Sequence, residues 1–521
     1  MKHRAVLLIE DGARLKREEF STMEISVLKE QFKAYQKKMH AYQHAMGVMQ
    51  YDFETVMPKG ASEGVGETLG ILSEESYKLS VSNELRDMVG ELLQNKDTLD
   101  FQTRREAEEL KEGIEKIEKI PMEEFVAFQK LVNKASFVWH GAKPENDYKS
   151  FEPLLAEIIE YQKRFAKYTK PELGTYDALL DEFERGMRQN MLDPYFKAVR
   201  ESLVPLIHEI GKAHAPDTSF LERAYPLEKQ RAFSDYLMEV MCIDRSNCNI
   251  GEVEHPFTMN FSKHDVRITT HYHEDMMHDS MYSVIHEGGH ALYELNTGDE
   301  LIGSVLAGGA SMGIHESQSR FYENIIGRSE AFIEFIFPKM KELFPEQLAG
   351  VTPHKFFLAV NKSTPSLIRT QADELTYSLH IMVRYELEKR LIGGTLTTKE
   401  LPEAWNALYK EYLGVTVPSD REGVLQDSHW SSGMFGYFPS YSVGSAYSAQ
   451  MLAAMQKEID VSGLVSRGNL APIIAWLTER IYKYGQLLRP NEIVKNACGA
   501  DFDPNYYTEY LSKKFRGIYG L

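Results

Sequence analysis

Cysteine is scarce, with Cys242, Cys248 and Cys498 the only three in 521 residues. An odd, widely spaced set builds no disulfide framework, and Cys242 with Cys248 has neither zinc-ribbon spacing nor a second pair. The expectation is three buried, inert thiols in a cytoplasmic protein. No apolar run approaches the roughly 20 residues needed to cross a bilayer, and the N-terminus lacks a signal peptide's hydrophobic region and small-residue cleavage site. Basic residues are outnumbered, 59 Lys and Arg against 77 Asp and Glu, for a formal net charge of −18. Nucleic acid is excluded as a partner on this ground, since phosphate binding needs clustered Lys and Arg. Repeats, low-complexity tracts and long Gly/Ser/Pro linkers are missing too, so nothing divides the chain into separate modules.

What is present is helical periodicity. Residues 23–48, 103–120, 151–168, 365–391 and 399–413 carry apolar positions at helical spacing. Length alone suggests about three domains. Without linkers, the reading is one mainly α catalytic unit over 23–521, with two helical lobes around a deep central cleft. The exception is 256–272, where Phe257, Met259 and Phe261, then Val266, Ile268 and Thr270, alternate with polar residues. That pattern predicts a small hairpin, whose edge either pairs with an extended peptide or caps the core. Residues 1–22 stand apart. Lys16-Arg17-Glu18-Glu19 is compatible with a purine-rich coding stretch just ahead of Met23. Met23 is therefore the expected native start and 1–22 a non-native or disordered leader, the alternative being a loosely ordered arm.

The chemistry is announced by His286-Glu287-Gly288-Gly289-His290, an HExxH motif. On a helix, residues four apart share a face, so both imidazoles reach one Zn²⁺ while Glu287 stands beside the attacking water. Asp279 or Ser280 is the expected N-cap. Met281, Val284, Ile285, Ala291, Leu292 and Leu295 form an apolar stripe, and Asn296-Thr297-Gly298 a stop. Gly288 and Gly289 each cost about 1 kcal/mol in a helix interior, which asks for a close approach by substrate or another backbone segment.

A catalytic zinc needs a third protein ligand. The metzincin continuation is excluded because Tyr293 and Asn296 stand where a glycine and a third histidine would be. Downstream, the glycine-containing turn 308–313 leads into a helix-like run, 314–326, with His315-Glu316-Ser317-Gln318. Glu316 is the expected third ligand, with His315, Gln318 and Arg320 as supporting partners. The alternatives are a solvated helix carboxylate at Glu316 and a satisfied core histidine at His315.

These segments resemble the carboxypeptidase Taq family of zinc metallocarboxypeptidases. The likeness extends to His255-Pro256-Phe257, to Asp265-Val266-Arg267-Ile268-Thr269, and to the runs 368–377, 423–430 and 436–441. Asp52, Thr55, Met57-Pro58, Gly60, Trp139, Phe151 and Pro153-Leu154 carry it towards the start, although Tyr51 stands where the family has Trp. Coverage runs from Met23 to the C-terminus. The resemblance implies a zincin-type helical fold with a small sheet beside the active-site helix, one Zn²⁺ per chain, a homodimer and broad specificity. It points to Tyr437 first and His429 second as oxyanion donors, with Tyr441 in reserve, the segment 431–444 being glycine-rich. It points to Arg369 as the clamp on a substrate's C-terminal carboxylate, in competition with Arg267 and Arg421. His255 positions the substrate end or the metal's surroundings. Read without the family, Tyr437 and His429 are ordinary aromatics and Arg369 a helical ion pair with Asp373.

The expected activity is release of single C-terminal amino acids by attack of a metal-activated water, with Glu287 as general base. Co²⁺ is a possible substitute, since the same nitrogen and oxygen ligands accept both ions. The alternatives are a metallo-oligopeptidase cutting internal bonds of short peptides and a catalytically silent peptide-binding protein.

Overall fold

The computed structural model describes the backbone from Lys2 and side chains from Glu24 to Leu521, so the side chains of the expected leader, 1–22, lie outside the described residues. The architecture is mainly helical with one three-stranded sheet. It comprises two compact units, one made of the residues up to Lys119 with Gly298–Ala307, the other of Ile120–Thr297 and Gly308–Leu521.

In the first unit the helices Lys2–Thr55, Asn83–Gln94 and Phe101–Lys119 share a small core that includes Phe32, Leu85, Leu92 and Ala107. Asn83–Gln94 shows why it forms. Ser82 caps its first turn by accepting from Leu85 N, and Leu85, Met88, Val89 and Leu92 fall on one face and are buried. The returning strip 298–307 is tied to this unit by polar contacts. Gln36 Oε1 accepts from Val305 N at 3.0 Å, and Ser304 Oγ donates to Glu106 at 2.7 Å.

The second unit holds one continuous core. Two of its helices, Glu374–Ile392 and Phe438–Met455, are buried on nearly every face, as expected of helices enclosed by others. The run expected over 365–391 begins as a helix only at Glu374. Asp373 ends the preceding loop by accepting from Leu375 N and Thr376 N, and it also holds Ser363 Oγ and Thr364 N. Arg369 consequently sits on a single 3₁₀ turn, Arg369–Gln371. The thiols are free, with Cys248 buried, Cys498 half-buried and Cys242 exposed, contrary to the expectation for Cys242. Cys242 lies in a tight turn at φ 57°, which turns its side chain outward.

The expected hairpin is present as β2 (Thr258–Ser262) antiparallel to β3 (Asp265–Thr270), and β1 (Cys248–Glu252) adds a parallel strand on the other side of β3. The order β1-β3-β2 leaves β2 at an edge. Val266, Ile268 and Thr270 of β3 are fully buried, whereas β2 is half-exposed.

The sheet packs on the motif helix, Met277–Leu295. Its first turn starts earlier than Asp279 or Ser280. Met276 stands at the N-cap without a side-chain bond, Asp279 lies inside the first turn, and Ser280 Oγ donates to Gln230 instead. The helix stops at Asn296, as its sequence indicates. Both motif glycines mark close approaches. A Cβ on Gly288 would meet Met241 Cε at 2.7 Å, and one on Gly289 would meet the backbone of the helix Met312–Arg320, Gln318 O at 2.7 Å and Ser319 Cα at 2.8 Å. Backbone cannot give way as a side chain end can. Gly289→Ala should therefore destabilise the protein by roughly 1–3 kcal/mol through overpacking. Gly90→Ala, at an exposed helical site with nothing within 4 Å of the added Cβ, should stabilise by roughly 0.5–1 kcal/mol. Denaturant unfolding of the two variants measures both signs.

Candidate active site

Helical spacing brings His286 and His290 to one face of the motif helix, with ring centroids 5.0 Å apart. The helix Met312–Arg320 crosses them and delivers Glu316, whose Oε2 lies 3.8 Å from His286 Nε2 and 3.7 Å from His290 Nε2. Two glycines permit this crossing. Gly289 lets the Gln318–Ser319 backbone approach from one side, and Gly444 of the helix Phe438–Met455 takes Glu316 from the other, where a Cβ would meet Glu316 Cβ at 2.8 Å. The three donor atoms lie within 4.8 Å of one another. Both Nδ1 atoms face outward to partners, so each imidazole presents Nε2 to the centre. Two imidazole nitrogens and a carboxylate oxygen form a donor set that suits Zn²⁺ or a similar borderline ion.

The outward partners differ. His286 Nδ1 meets Glu323 Oε2 directly at 2.9 Å, while His290 Nδ1 meets His315 Nδ1 at 2.5 Å and His315 Nε2 meets Glu294 Oε1 at 2.7 Å. One tautomer set satisfies the second chain. His290 donates from Nδ1 to His315, which donates from Nε2 to Glu294. Burial drives the His290 pKa well below the ordinary imidazole range, and His315 and His286 push it the same way. Glu294 accepts further from Asn260 of β2 and from Gly309 N at 3.1 Å.

Glu323 belongs to a π-helical stretch, Phe321–Gly327, that continues the Glu316 helix. The wider turn places Glu316, Arg320 and Glu323 on one surface. Arg320 donates from Nε to Glu316 Oε1 at 2.7 Å and from Nη1 to Glu323 Oε2 at 3.0 Å, and Arg328 Nη2 reaches Glu323 Oε1 at 3.1 Å. Burial opposes the Glu323 carboxylate, but Arg320, His286 and Arg328 outweigh it and hold its pKa far below the usual range. Of the supporting residues expected from sequence, His315 and Arg320 touch ligands. Gln318 instead bonds Ser317 and Tyr482 through its side chain and serves the crossing by its backbone.

Glu287 is buried on the sheet side, where Thr258 Oγ1 of β2 donates to its Oε2 at 2.6 Å. Burial raises its pKa above the ordinary carboxyl value, with His286 and Thr258 pulling it back.

A second group of polar residues surrounds Tyr377, whose ring lies 4.5 Å from the Arg320 guanidinium. Arg369 donates to Tyr377 Oη at 3.2 Å and from Nε to Asp427 Oδ1 at 2.9 Å, and its guanidinium lies 5.0 Å from the Tyr441 ring. Its partner is thus Asp427 rather than Asp373, which is occupied as a helix cap. His429 Nε2 lies 3.2 Å from Tyr441 Oη, and the Tyr437 ring packs 5.0 Å from Tyr441 and 5.4 Å from His429. The structure thereby gathers Arg369, His429, Tyr437 and Tyr441. The segment 431–444 is irregular only at its start. After a 3₁₀ turn, His429–Ser432, and positive-φ glycines at 433 and 436, it becomes the helix Phe438–Met455, where Gly444 serves contact rather than turning.

The remaining candidates lie elsewhere. Arg267 makes a two-pronged pair with Asp265 and covers the Phe261 ring, Arg421 is exposed and pairs with Glu422, and His255 is exposed in the loop before β2. Residues that sequence reasoning missed include Thr258, Glu294, Glu323, Arg328 and Asp427. Glu323 had a signal, falling seven residues after Glu316 on the face shared by Arg320. Asp427 lies in the run 423–430, two residues ahead of His429.

The chain is similar to known proteins over nearly its whole length. The model of the carboxypeptidase Taq (M32) metallopeptidase family matches residues 31–515. Carboxypeptidase 1 of Bacillus subtilis is 39% identical over 501 residues, covering 96% of this chain and 100% of the relative. Thermostable carboxypeptidase 1 of Pyrococcus furiosus is 36% identical, covering 93% and 98%. Among solved structures, the M32 carboxypeptidase of Deinococcus radiodurans R1 superposes with a TM-score of 0.92 at 33% identity, covering 95% of this chain and 100% of that one.

Removing a ligand's outward partner should weaken ion retention. His315→Ala severs the path from His290 to Glu294, and chelator competition should show a loss of roughly 10–100-fold in metal affinity. Hydrogen–deuterium exchange should show the fold preserved.

Proposed function

Because the chain belongs to the carboxypeptidase Taq (M32) metallopeptidase family, and is a metallocarboxypeptidase acting on peptides, we propose that its ion is zinc and that it releases single C-terminal amino acids with broad specificity. Co²⁺ fits the same donors as a substitute. The observation that carries this reading is the convergence of His286 Nε2, His290 Nε2 and Glu316 Oε2 beside the buried Glu287.

Zinc bound there supplies Lewis acidity, polarising the scissile carbonyl and acidifying the attacking water. Glu287 takes that water's proton and later delivers it to the leaving amine, a role helped by a pKa already raised through burial. Tyr437 and His429 donate to the oxyanion, with Tyr441 supporting them. Burial, with Arg369 and Arg384 adding to it and Asp427 opposing, lowers the His429 pKa to about 4, so its imidazole is neutral at pH 7. Nδ1 of His429 is buried without a hydrogen-bond partner. Nε2 of His429 lies 3.2 Å from Tyr441 Oη, a contact that orients the ring.

Arg369 receives the substrate's terminal carboxylate. Its Nε and Nη1 are committed to Asp427 and Tyr377, which leaves the other amino group of the fork for the ligand. His255, Arg267 and Arg421 are secondary candidates for substrate contact. A catalytic domain over 23–521, a homodimer and cytoplasmic residence complete the reading, supported by the family. Among the described residues no helix is long and apolar enough to cross a membrane.

Glu287→Gln should retain stoichiometric metal and lose roughly 10²–10⁴-fold in kcat; unchanged turnover removes the general base. Mass spectrometry of products from free-acid and amidated peptides tests end specificity. The free acid should lose single residues from its C-terminus and the amide should resist. Internal cleavage of the amide makes the protein an oligopeptidase, and no hydrolysis of either peptide by zinc-loaded protein makes it a peptide-binding protein.

A further inference from the structure

We infer that Glu388 is a positioning residue, a buried carboxylate that holds both ends of the His429–Tyr437 loop in place for the reaction. The inference rests on the substrate-facing role proposed for that loop. Glu388 is fully buried on the helix Glu374–Ile392, far along the chain from any catalytic motif. Three donors converge on it. Trp430 Nε1 reaches Oε1 at 2.7 Å, while Gly436 N at 2.8 Å and Tyr176 Oη at 2.9 Å reach Oε2. Trp430 directly follows His429, and Gly436 directly precedes Tyr437. One carboxylate therefore ties the two ends of the loop, at Trp430 and Gly436, to each other and to the core.

The same helix grips the loop a second time. One turn before Glu388, Arg384 donates from Nε to Asp427 Oδ2 at 2.8 Å, two residues ahead of His429. Gly436 has little freedom of its own, since φ is 89° and a Cβ would meet the Leu179 carbonyl at 2.6 Å. Its N–H is thus aimed at Glu388 by packing. An ionised carboxylate accepts from all three donors at once. Burial pushes the Glu388 pKa up to about 7, with Trp430, Gly436, Tyr176 and Arg384 pulling it down. The groups that face it are Tyr176 on the helix Thr175–Phe183, Trp430 and Gly436 on the loop, and Arg384 on its own helix. A purely structural carboxylate in this place would have no reason to report in the kinetics of metal-loaded protein.

Glu388→Gln keeps the shape but turns an amide N–H₂ towards a donor whichever way it lies. Expected is a fall in kcat of roughly 10–100-fold per bound metal with KM little changed, the pattern of lost transition-state alignment. Tyr176→Phe, the milder variant, removes one donor that favours the carboxylate. The Glu388 pKa then rises, so the acid limb of the kcat profile moves to higher pH, again with metal content intact. Tyr437→Phe is measured alongside on the same free-acid peptide. Reduced kcat in Tyr437→Phe with wild-type kcat per metal in Glu388→Gln, or a Tyr176→Phe profile superimposed on wild type, overturns the assignment of Glu388 alone. Unchanged kcat in Tyr437→Phe overturns the loop's role and the inference with it. If Glu388→Gln does not fold, the Tyr176→Phe profile decides.

Discussion

Everything at the centre of this protein depends on two backbones lying closer than side chains normally allow. The motif helix and the Glu316 helix touch at Gly289, and the Glu316 helix and Phe438–Met455 touch at Gly444. Each glycine is unfavourable by the measure of helix propensity alone. Together they wedge Glu316 between two helices so that its carboxylate meets both imidazoles. Local stability is given up at two positions so that His286, His290 and Glu316, from two successive helices, converge on one centre.

Around that centre, order is imposed from buried helices outward. The π-helical stretch Phe321–Gly327 sends Glu323 to His286, and β2 sends Thr258 to Glu287 and Asn260 to Glu294. Glu374–Ile392 does the same for the aromatic loop through Arg384 and Glu388. His429 and Tyr437 stand on a 3₁₀ turn and at a helix start, whereas His286, Glu287, His290 and Glu316 lie within helices. Such an arrangement gives precise placement without long-range mobility in the scaffold.

The centre was the most legible part of the chain because its signal is local. His286, Glu287 and His290 follow from a spacing of four on an amphipathic helix, and of the two glycines Gly289 meets backbone as expected while Gly288 meets the Met241 side chain. Glu316 was reachable because a glycine turn and a new helical run follow soon after. The family likeness then brought in Arg369, His429 and Tyr437, which no periodicity singles out. What stayed hidden has physical reasons. Helix Glu374–Ile392 is buried all round, so Arg384 and Glu388 read as breaks in an apolar run rather than as contacts. The spacing of Arg369 and Asp373 suits an ion pair on one helix, but the capping of that helix by Asp373 leaves Arg369 on a turn facing Asp427. The early start of the motif helix escaped because no side chain caps it.

The ionic make-up of the centre has a thermodynamic consequence. Four carboxylates, Glu287, Glu294, Glu316 and Glu323, are enclosed with two guanidinium groups, Arg320 and Arg328, around imidazoles that serve as neutral donors. The formal sum is two negative charges in excess, which a divalent cation cancels. An ion bound by the native form alone would shift the unfolding equilibrium in its favour. A divalent ion held by these donors would add to the thermal resistance of the protein as its free concentration rises above the dissociation constant.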